Sequence, residues 1–388
     1  MRVLIVNKYV HLTGGADQHA LGLAAALRER GHEVRFLSTE SPENLESDGL
    51  FVDCSVTHSS RDNLGLLAQG RVFRSALWNG EAAHATGRLI DEFRPDVVHT
   101  HKLYPQLSVA PVVVAARRGV PVVQTLHDFE MLGASPIDVR GGWWDRDEPR
   151  LRHKLLNSAT VPLHRHVHVS KVTSFVAVSR FVQRVHAQRG IESVVIPNFV
   201  SALRNSNAHT PDYGARDGVL FLGRLRPEKG VVDVVELARR LPDVRVTMVG
   251  SGDLEAWARS EAASIDNLQI TGFVTDPELA SIVEGARVMV VPSRCQDAGP
   301  LVPLESMAAG TPVVAYANGG LGEYVADAGG GRVVPQDVVA LADAAREIHD
   351  DATLWATLSS RGRRSVAERH TAAEYAESLE KVYEDAAG

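Results

Sequence analysis

The sequence has little cysteine, no long apolar run and, over one long stretch, no acid. Only two cysteines occur in 388 residues, Cys54 and Cys295. Two isolated thiols give neither a disulfide framework nor the paired spacing of a zinc site, and they point to a reducing cytosol. No run of about 18 apolar residues is present, as a membrane-crossing helix would need. The nearest, Val109–Val123, is broken by Arg117 and Arg118. The first residues, Met-Arg-Val-Leu-Ile-Val-Asn-Lys, lack the pattern of a cleaved secretory leader. The expected location is cytoplasmic, with a peripheral place on the inner face of the membrane left open. From Pro149 to Ile191 there is no Asp or Glu, whereas Arg150, Arg152, Lys154, Arg165, Lys171, Arg180, Arg184 and Arg189 occur with five histidines. Two readings stand. One is a basic face at 150–189 for an anionic acceptor or an anionic membrane surface. The other is a solvated face balanced by acids elsewhere. The net charge of −7 argues against a nucleic-acid partner.

What is present is an ordinary globular composition, 44% hydrophobic and 23% charged. The length suits two domains. Short β-branched runs alternate with helical stretches. Val3–Val6 is a buried parallel strand by composition, followed by Gly14-Gly15, a helix from about Ala16 to Arg30, and a strand at Val34–Ser38. Strands are expected again at Val97–Thr100, Val122–Leu126, Phe175–Val178 and Val194–Ile196. The polar stretch Ser201–Asp217 reads as a linker. The pattern then restarts, with strands at Val219–Leu222, Val244–Val249, Leu268–Thr271, Val288–Val291 and Val313–Ala315, and helix from about Val338 onward. The fold class is therefore α/β, two doubly wound halves joined near residue 200.

Parallel sheets bind ligands beyond the carboxyl ends of their strands, and the unusual residues fall there. Gly223-Arg224-Leu225-Arg226-Pro227-Glu228-Lys229-Gly230 follows a strand. An arginine fork and a lysine point charge on a glycine-bounded loop suit a diphosphate, although a solvated turn has the same look. Asp297-Ala-Gly299-Pro300-Leu301-Val302-Pro-Leu-Glu305 follows another. Pro300 suits a first helical position, which leaves the Leu301 and Val302 amides to face an anion. Glu305 can take a ribose diol, and Asp297 can reach sugar hydroxyls. Gly14-Gly15 allows close backbone approach, without the Gly-x-Gly-x-x-Gly of a dinucleotide loop. His127, at a strand end, can hydrogen-bond a sugar hydroxyl or a developing charge, or can simply be satisfied locally. Gly252 marks a turn beside a nucleotide, and Val274 a backbone edge against a base.

Two further segments carry less. Leu64–Trp78 has Leu66, Leu67, Val72, Phe73, Leu77 and Trp78 among Arg71 and Arg74, which fits a core-facing helix better than a membrane-surface one. Asp145-Arg146-Asp147 has the form of a metal motif but not its place at a strand end.

In combination and order, these residues resemble glycosyltransferase family 4, the retaining GT-B group. The resemblance rests on Gly14-Gly15 with Glu29-Arg30-Gly31-His32-Glu33-Val34, Leu126-His127-Asp128, Ala177-Val178-Ser179-Arg180 and Val195-Ile196-Pro197-Asn198. It continues through Gly223-Arg224, Lys229-Gly230, Gly272-Phe273-Val274 and Asp297 to Glu305. It implies two Rossmann-like domains facing across a deep cleft, 1–198 for the acceptor and 199–371 for the donor, with a final helix near 372–388 packing on the first. It implies a nucleotide-sugar co-substrate, UDP-linked before GDP-linked, a hydroxyl acceptor on a glycan, lipid-linked or small molecule, and neither cofactor nor metal. Arg224 and Lys229 would hold the diphosphate and Glu305 the ribose. Asp297, Gly299 and the amides near Leu301 would face sugar and phosphate, His127 would lie beside the sugar, and Gly15 would close on the donor. The family pattern is Glu, seven residues, Glu; here Asp297 is one methylene shorter, and Asn198-Phe199 stands where the family has Asn-Gly. A sugar-nucleotide epimerase of the same architecture would need a carboxylate acid and base, for which no set is evident. A phosphorylase-like enzyme would need a pyridoxal lysine, and a non-catalytic sugar-nucleotide binder would show neither chemistry.

Overall fold

β1 (Arg2–Val6) is fully buried from Val3 to Val6, as a strand covered on both faces must be. A computed structural model describes the chain except residues 12–13, 46–48, 55–72, 133, 136–137, 143–150 and 201–211. Side chains at 130, 134–135, 138–142, 151–160 and 276–277 are likewise left undescribed. The Asp145–Asp147 motif, most of Leu64–Trp78 and most of the expected linker therefore lie outside the described residues.

The chain divides into two compact units, Met1–Pro197 with Ala372–Gly388, and Asn198–Thr371. In the first, β1 is joined by β2 (Glu33–Thr39), β3 (Leu50–Val52), β4 (Val97–Thr100), β5 (Val122–Leu126), β8 (Ser174–Ala177) and β9 (Val194–Val195). The sheet order is β3-β2-β1-β4-β5-β8-β9, parallel throughout. A small antiparallel pair, β6 (Ala134–Ser135) and β7 (Asp138–Gly142), stands apart. In the second unit, β10 (Asp217–Leu222), β11 (Val246–Val249), β12 (Leu268–Gly272), β13 (Ala286–Val291), β14 (Val313–Tyr316) and β15 (Gly331–Val334) run in the order β12-β11-β10-β13-β14-β15. Both sheets reverse direction of growth beside their first strand, between β1 and β4 and between β10 and β13. That point, where loops from neighbouring strands part, is where doubly wound folds bind ligands.

Alternation along each strand feeds two layers. Val219, Phe221, Val288, Val290, Val314 and Tyr316 enter one core with Trp355, whereas Leu220, Met289, Val313 and Ala315 enter the other with Leu304. The long C-terminal helical stretch is three helices, Val338–Asp350, Ala352–Arg369 and Ala372–Ala387. Asp351 caps the second, accepting from the amides of Thr353 and Leu354 at 2.8 and 2.9 Å. The third belongs to the first unit. Its Tyr383 hydroxyl lies 2.6 Å from His99 Nδ1, and its Glu380 takes a fork of hydrogen bonds from Arg30 at 2.6 and 2.7 Å. That hydrogen bonding holds Glu380 down at a pKa of about 2.

β3, β15 and the break at Asp351 were not apparent from sequence patterning. β3 and β15 are edge strands of three and four residues, too short to show a period. Gly230 ends the loop after β10 at φ +75°, and a Cβ there would sit 2.1 Å from the Pro292 carbonyl oxygen. Gly230→Ala is expected to cost more than about 1–2 kcal/mol, the ordinary penalty of the left-handed conformation, and to lower the melting temperature. An unchanged melting curve would contradict the close packing of these two loops.

Candidate functional site

In the second unit the loops after β10 and β13 are sewn together. The amides of Arg294 and Cys295 both donate to Glu228 O, at 2.9 and 3.2 Å. Arg294 forks onto the buried Asp233 at 2.7 and 2.6 Å. Asn318 donates to the carbonyls of Ser293 and Cys295 at 3.2 and 2.7 Å. This framework sets Lys229 Nζ 2.5 Å from Asp297 Oδ1, with the two side chains only 19% and 12% exposed. Burial works against the Lys229 charge, but Asp297 and Cys295 outweigh it and its pKa is raised; Arg224, a like charge, opposes them. Asp297 Oδ2 is buried with no hydrogen-bond partner among the described residues. The Cys295 thiol lies 3.9 Å from Lys229 Nζ and 3.7 Å from Asp297 Oδ1. Burial and the Asp297 charge push its pKa up to about 12, so it stays a thiol.

The other expected residues of this unit have different standing. Arg224 is exposed and Gly223 half-buried. Gly252 is a packing glycine: at φ +156° its Cβ would lie 2.6 Å from Leu225 O, and Leu225 N donates to Ser251 O at 2.9 Å. It braces the Arg224 loop. Val274 is half-buried against the core, beside Phe273, which is 78% exposed. The helix expected to begin at Pro300 is Val302–Ala308, with Leu301 as N-cap and the helical proline at Pro303. Glu305 consequently lies in its first turn, and is 8% exposed. Gly299 is held by Asn198 Nδ2, which donates to its carbonyl at 2.7 Å. Asn198 is itself anchored by Tyr324 Oη on its amide at 2.9 Å and His370 Nδ1 on its carbonyl at 2.8 Å.

In the first unit the same topological point lies between β1 and β4. Asn7 bridges it, donating to Asp17 at 2.9 Å and accepting from the Lys102 amide at 3.2 Å. Gly14, extended at φ −178°, is the N-cap of the helix Gly15–Glu29, and both glycines are exposed. His127, after β5, is half-buried, and its Nε2 lies 2.9 Å from His101 Nδ1. Around it are His19 and His99. His99 is satisfied by Tyr383 at 2.6 Å and Thr125 Oγ1 at 2.8 Å. Burial holds all four imidazoles neutral, His101 at about 3 and the others well below the usual value. His127 is thus a neutral hydrogen-bonding group, not a cation. His19, His99 and His101 were missed from sequence, although His99 and His101, two apart at a strand end, fall on one face.

The acid-free stretch is less basic than its composition suggests. Of its five histidines, His164, His168 and His186 are buried, with partners Ala76 O at 2.9 Å, Gln124 Oε1 at 2.5 Å and Val182 O at 2.9 Å. Burial lowers the pKa of each. Lys171, Arg180, Arg184 and Arg189 are exposed.

The neutral cluster fixes a pH dependence. Unfolded histidines titrate near 6.5, whereas His19, His99, His101 and His127 resist protons in the folded chain, so unfolding takes up protons below that pH. Each contributes up to about 1.4 kcal/mol of lost stability per pH unit there. Stability measured by urea unfolding is expected to fall steeply from pH 7 to 5 and to be level, for these groups, above 7.5. A flat acid limb would contradict the burial of these rings.

Comparison with known proteins completes the description. Residues 208–365 match the family model described as glycosyl transferases group 1, and residues 13–203 match that of glycosyltransferase family 4. The phosphatidyl-myo-inositol mannosyltransferase of Mycolicibacterium smegmatis is 30% identical over 348 residues, 87% of this chain and 81% of that protein. The glycogen synthase of Mycobacterium tuberculosis is 29% identical over 374 residues, 90% of this chain and 86% of that protein. Among solved structures, Anabaena HepE in complex with UDP-glucose superposes with a TM-score of 0.71 at 16% identity, covering 99% of this chain and 100% of that one. The two doubly wound units are those of the GT-B fold, and the chain belongs to glycosyltransferase family 4: it is a glycosyltransferase.

Proposed function

We propose that the protein moves a hexosyl group from a UDP-sugar to a hydroxyl of a glycan, lipid-linked or small-molecule acceptor, with retained anomeric configuration. The observation that carries this reading is the half-buried Lys229–Asp297 pair at the β10/β13 switch point, with the second carboxylate oxygen of Asp297 unpartnered among the described residues. A diphosphate brings the anionic oxygens that Lys229 needs and frees Asp297 for a sugar hydroxyl. The UDP preference is supported by the likeness to a structure holding UDP-glucose, and a hexosyl group by the mannosyltransferase and glycogen synthase relatives.

In this reading Arg224 and Lys229 stabilise the charge that grows on the leaving diphosphate as the C1–O bond breaks. They do so in place of a metal ion. Gly299 and the backbone at Leu301 and Val302 lie beside the phosphates, Glu305 takes the ribose hydroxyls, and Gly223, Gly252 and Val274 shape the nucleotide's bed. His127 offers a neutral imidazole to a sugar hydroxyl, and Gly14 with Gly15 lets the backbone approach the donor closely. The exposed cations Lys171, Arg180, Arg184 and Arg189 suit an anionic acceptor or a peripheral contact with an anionic membrane.

Lys229→Ala and Arg224→Ala are each expected to lower kcat/KM by ~10² or more, the scale of losing one preorganised charge donor. The measurement is UDP release from a panel of UDP-hexoses, with melting curves to confirm folding; near-unchanged kinetics for both would refute the donor assignment. Asp297→Glu, which restores the longer carboxylate, is expected to shift the relative kcat/KM among UDP-hexoses by ~10-fold. Identical donor ranking in the two proteins would separate Asp297 from sugar reading. Proton NMR of the product tests retention: an α-linked product from an α-linked donor is expected, and a β-linked one contradicts it.

A further inference from the structure

We infer that Asn198 is a positioning residue for the donor loop Asp297–Gly299 and acts through Asp297 on the transferred sugar. Its side-chain Nδ2 donates to the Gly299 carbonyl at 2.7 Å, across 101 residues of sequence. Two residues earlier, the Asp297 carbonyl accepts from the Gly320 amide at 2.7 Å. The loop is thus pinned at both ends by groups from outside it. Gly320 fixes the Asp297 end and Asn198 the Gly299 end. Pro300 follows, with no amide hydrogen to donate.

Asn198 can hold the loop because its own backbone is held. Its amide donates to Tyr324 Oη at 2.9 Å, and its carbonyl accepts from His370 Nδ1 at 2.8 Å. The Val200 amide donates to the His370 carbonyl at 2.9 Å, and Val200 pairs with Thr371 in a parallel bridge. Val200 also joins Leu304 and Met307, from the helix that follows the loop, in one apolar core. Asn198 and Thr371 are the first and last residues of the second unit. The two ends of this unit are therefore bonded together, and Asn198 carries that anchorage to the donor loop.

Packing alone does not account for this side chain. Asn198 is 5% exposed, and its Oδ1 is buried with no hydrogen-bond partner among the described residues. A buried acceptor left unmatched costs stability, and an apolar side chain of similar size would avoid that cost. What the amide provides is the bond to Gly299. A loop released at Gly299 lets Asp297 move off the place that Lys229 sets for it. A misplacement of about 1 Å near the reacting atoms can slow turnover ~10²-fold. The effect on the sugar rests on the donor reading of Asp297 given above; the hold on the loop stands without it.

Hydrogen exchange of the full-length protein tests the hold without turnover. In Asn198→Ala and the near-isosteric Asn198→Asp, amide exchange is expected to quicken at least ~10-fold across 297–301 and to stay unchanged in β10 and β13. Where a variant fails to fold, NMR of the wild-type chain decides: its Asn198 side-chain amide protons are expected to exchange ~10-fold or more slowly than a free amide. Kinetics test the action on the sugar. Each folded variant is expected to lower kcat with UDP-hexoses by ~10-fold or more, while the Kd for UDP alone stays within about twofold. In an Asp297→Asn background, Asn198→Ala is expected to change kcat by less than about twofold, because the two residues act as one unit. A wild-type chain that transfers nothing from UDP-hexoses would refute the donor reading and leave hydrogen exchange to judge the loop. Unchanged loop exchange in folded variants, fast side-chain exchange in the wild type, or additive kinetics would overturn the role of Asn198.

Discussion

A lysine and a carboxylate, half-buried together in the crevice of a parallel sheet, set the terms for the second unit. Taking either charge out of water alone is costly, and removing one partner leaves the other uncompensated. Lys229 and Asp297 come from loops that leave neighbouring strands in opposite directions, and their 2.5 Å pairing is one of several ties that join those loops. The backbone hydrogen bonds from Arg294 and Cys295 to Glu228, the Arg294–Asp233 fork and the close approach of Gly230 to Pro292 all keep that pair in register. In the proposed reading the pair is a resting state: an arriving diphosphate replaces the carboxylate at the lysine, and the carboxylate is released to the sugar.

The first unit meets the same topological opportunity with opposite electrostatics. Its switch point is lined by imidazoles that burial keeps uncharged. A neutral, hydrogen-bonding wall suits sugar hydroxyls and avoids repelling cations or attracting free phosphate. The last helix supports that wall through Tyr383 on His99 and Tyr375 against His19, so the C-terminal residues of the chain brace its N-terminal unit.

Much of this was legible in the sequence because parallel strands buried on both faces announce themselves as β-branched runs. Val3–Val6, Val122–Leu126 and Val288–Val291 are of this kind, and the cationic and acidic residues that follow such runs stood out against them. What was not legible depends on contacts distant in sequence. Lys229 and Asp297 are individually conspicuous, but their pairing requires β10 and β13 to be neighbours. Gly252 stood out as a turn glycine, but that it makes room for the Leu225 backbone could be seen only in the fold. The helix starts at Val302 rather than Pro300, with Pro303 as the proline of its first turn. Three histidines of the acid-free stretch looked like surface charge, and only the fold shows them buried with backbone or amide partners.

The most direct measurement is a crystal structure of the protein with a non-transferable UDP-hexose analogue. The account predicts diphosphate oxygens within about 3 Å of Lys229 Nζ and the Arg224 guanidinium, ribose hydroxyls on Glu305, and Asp297 turned from Lys229 to a sugar hydroxyl. A nucleotide bound elsewhere, with the Lys229–Asp297 pair intact, would contradict it.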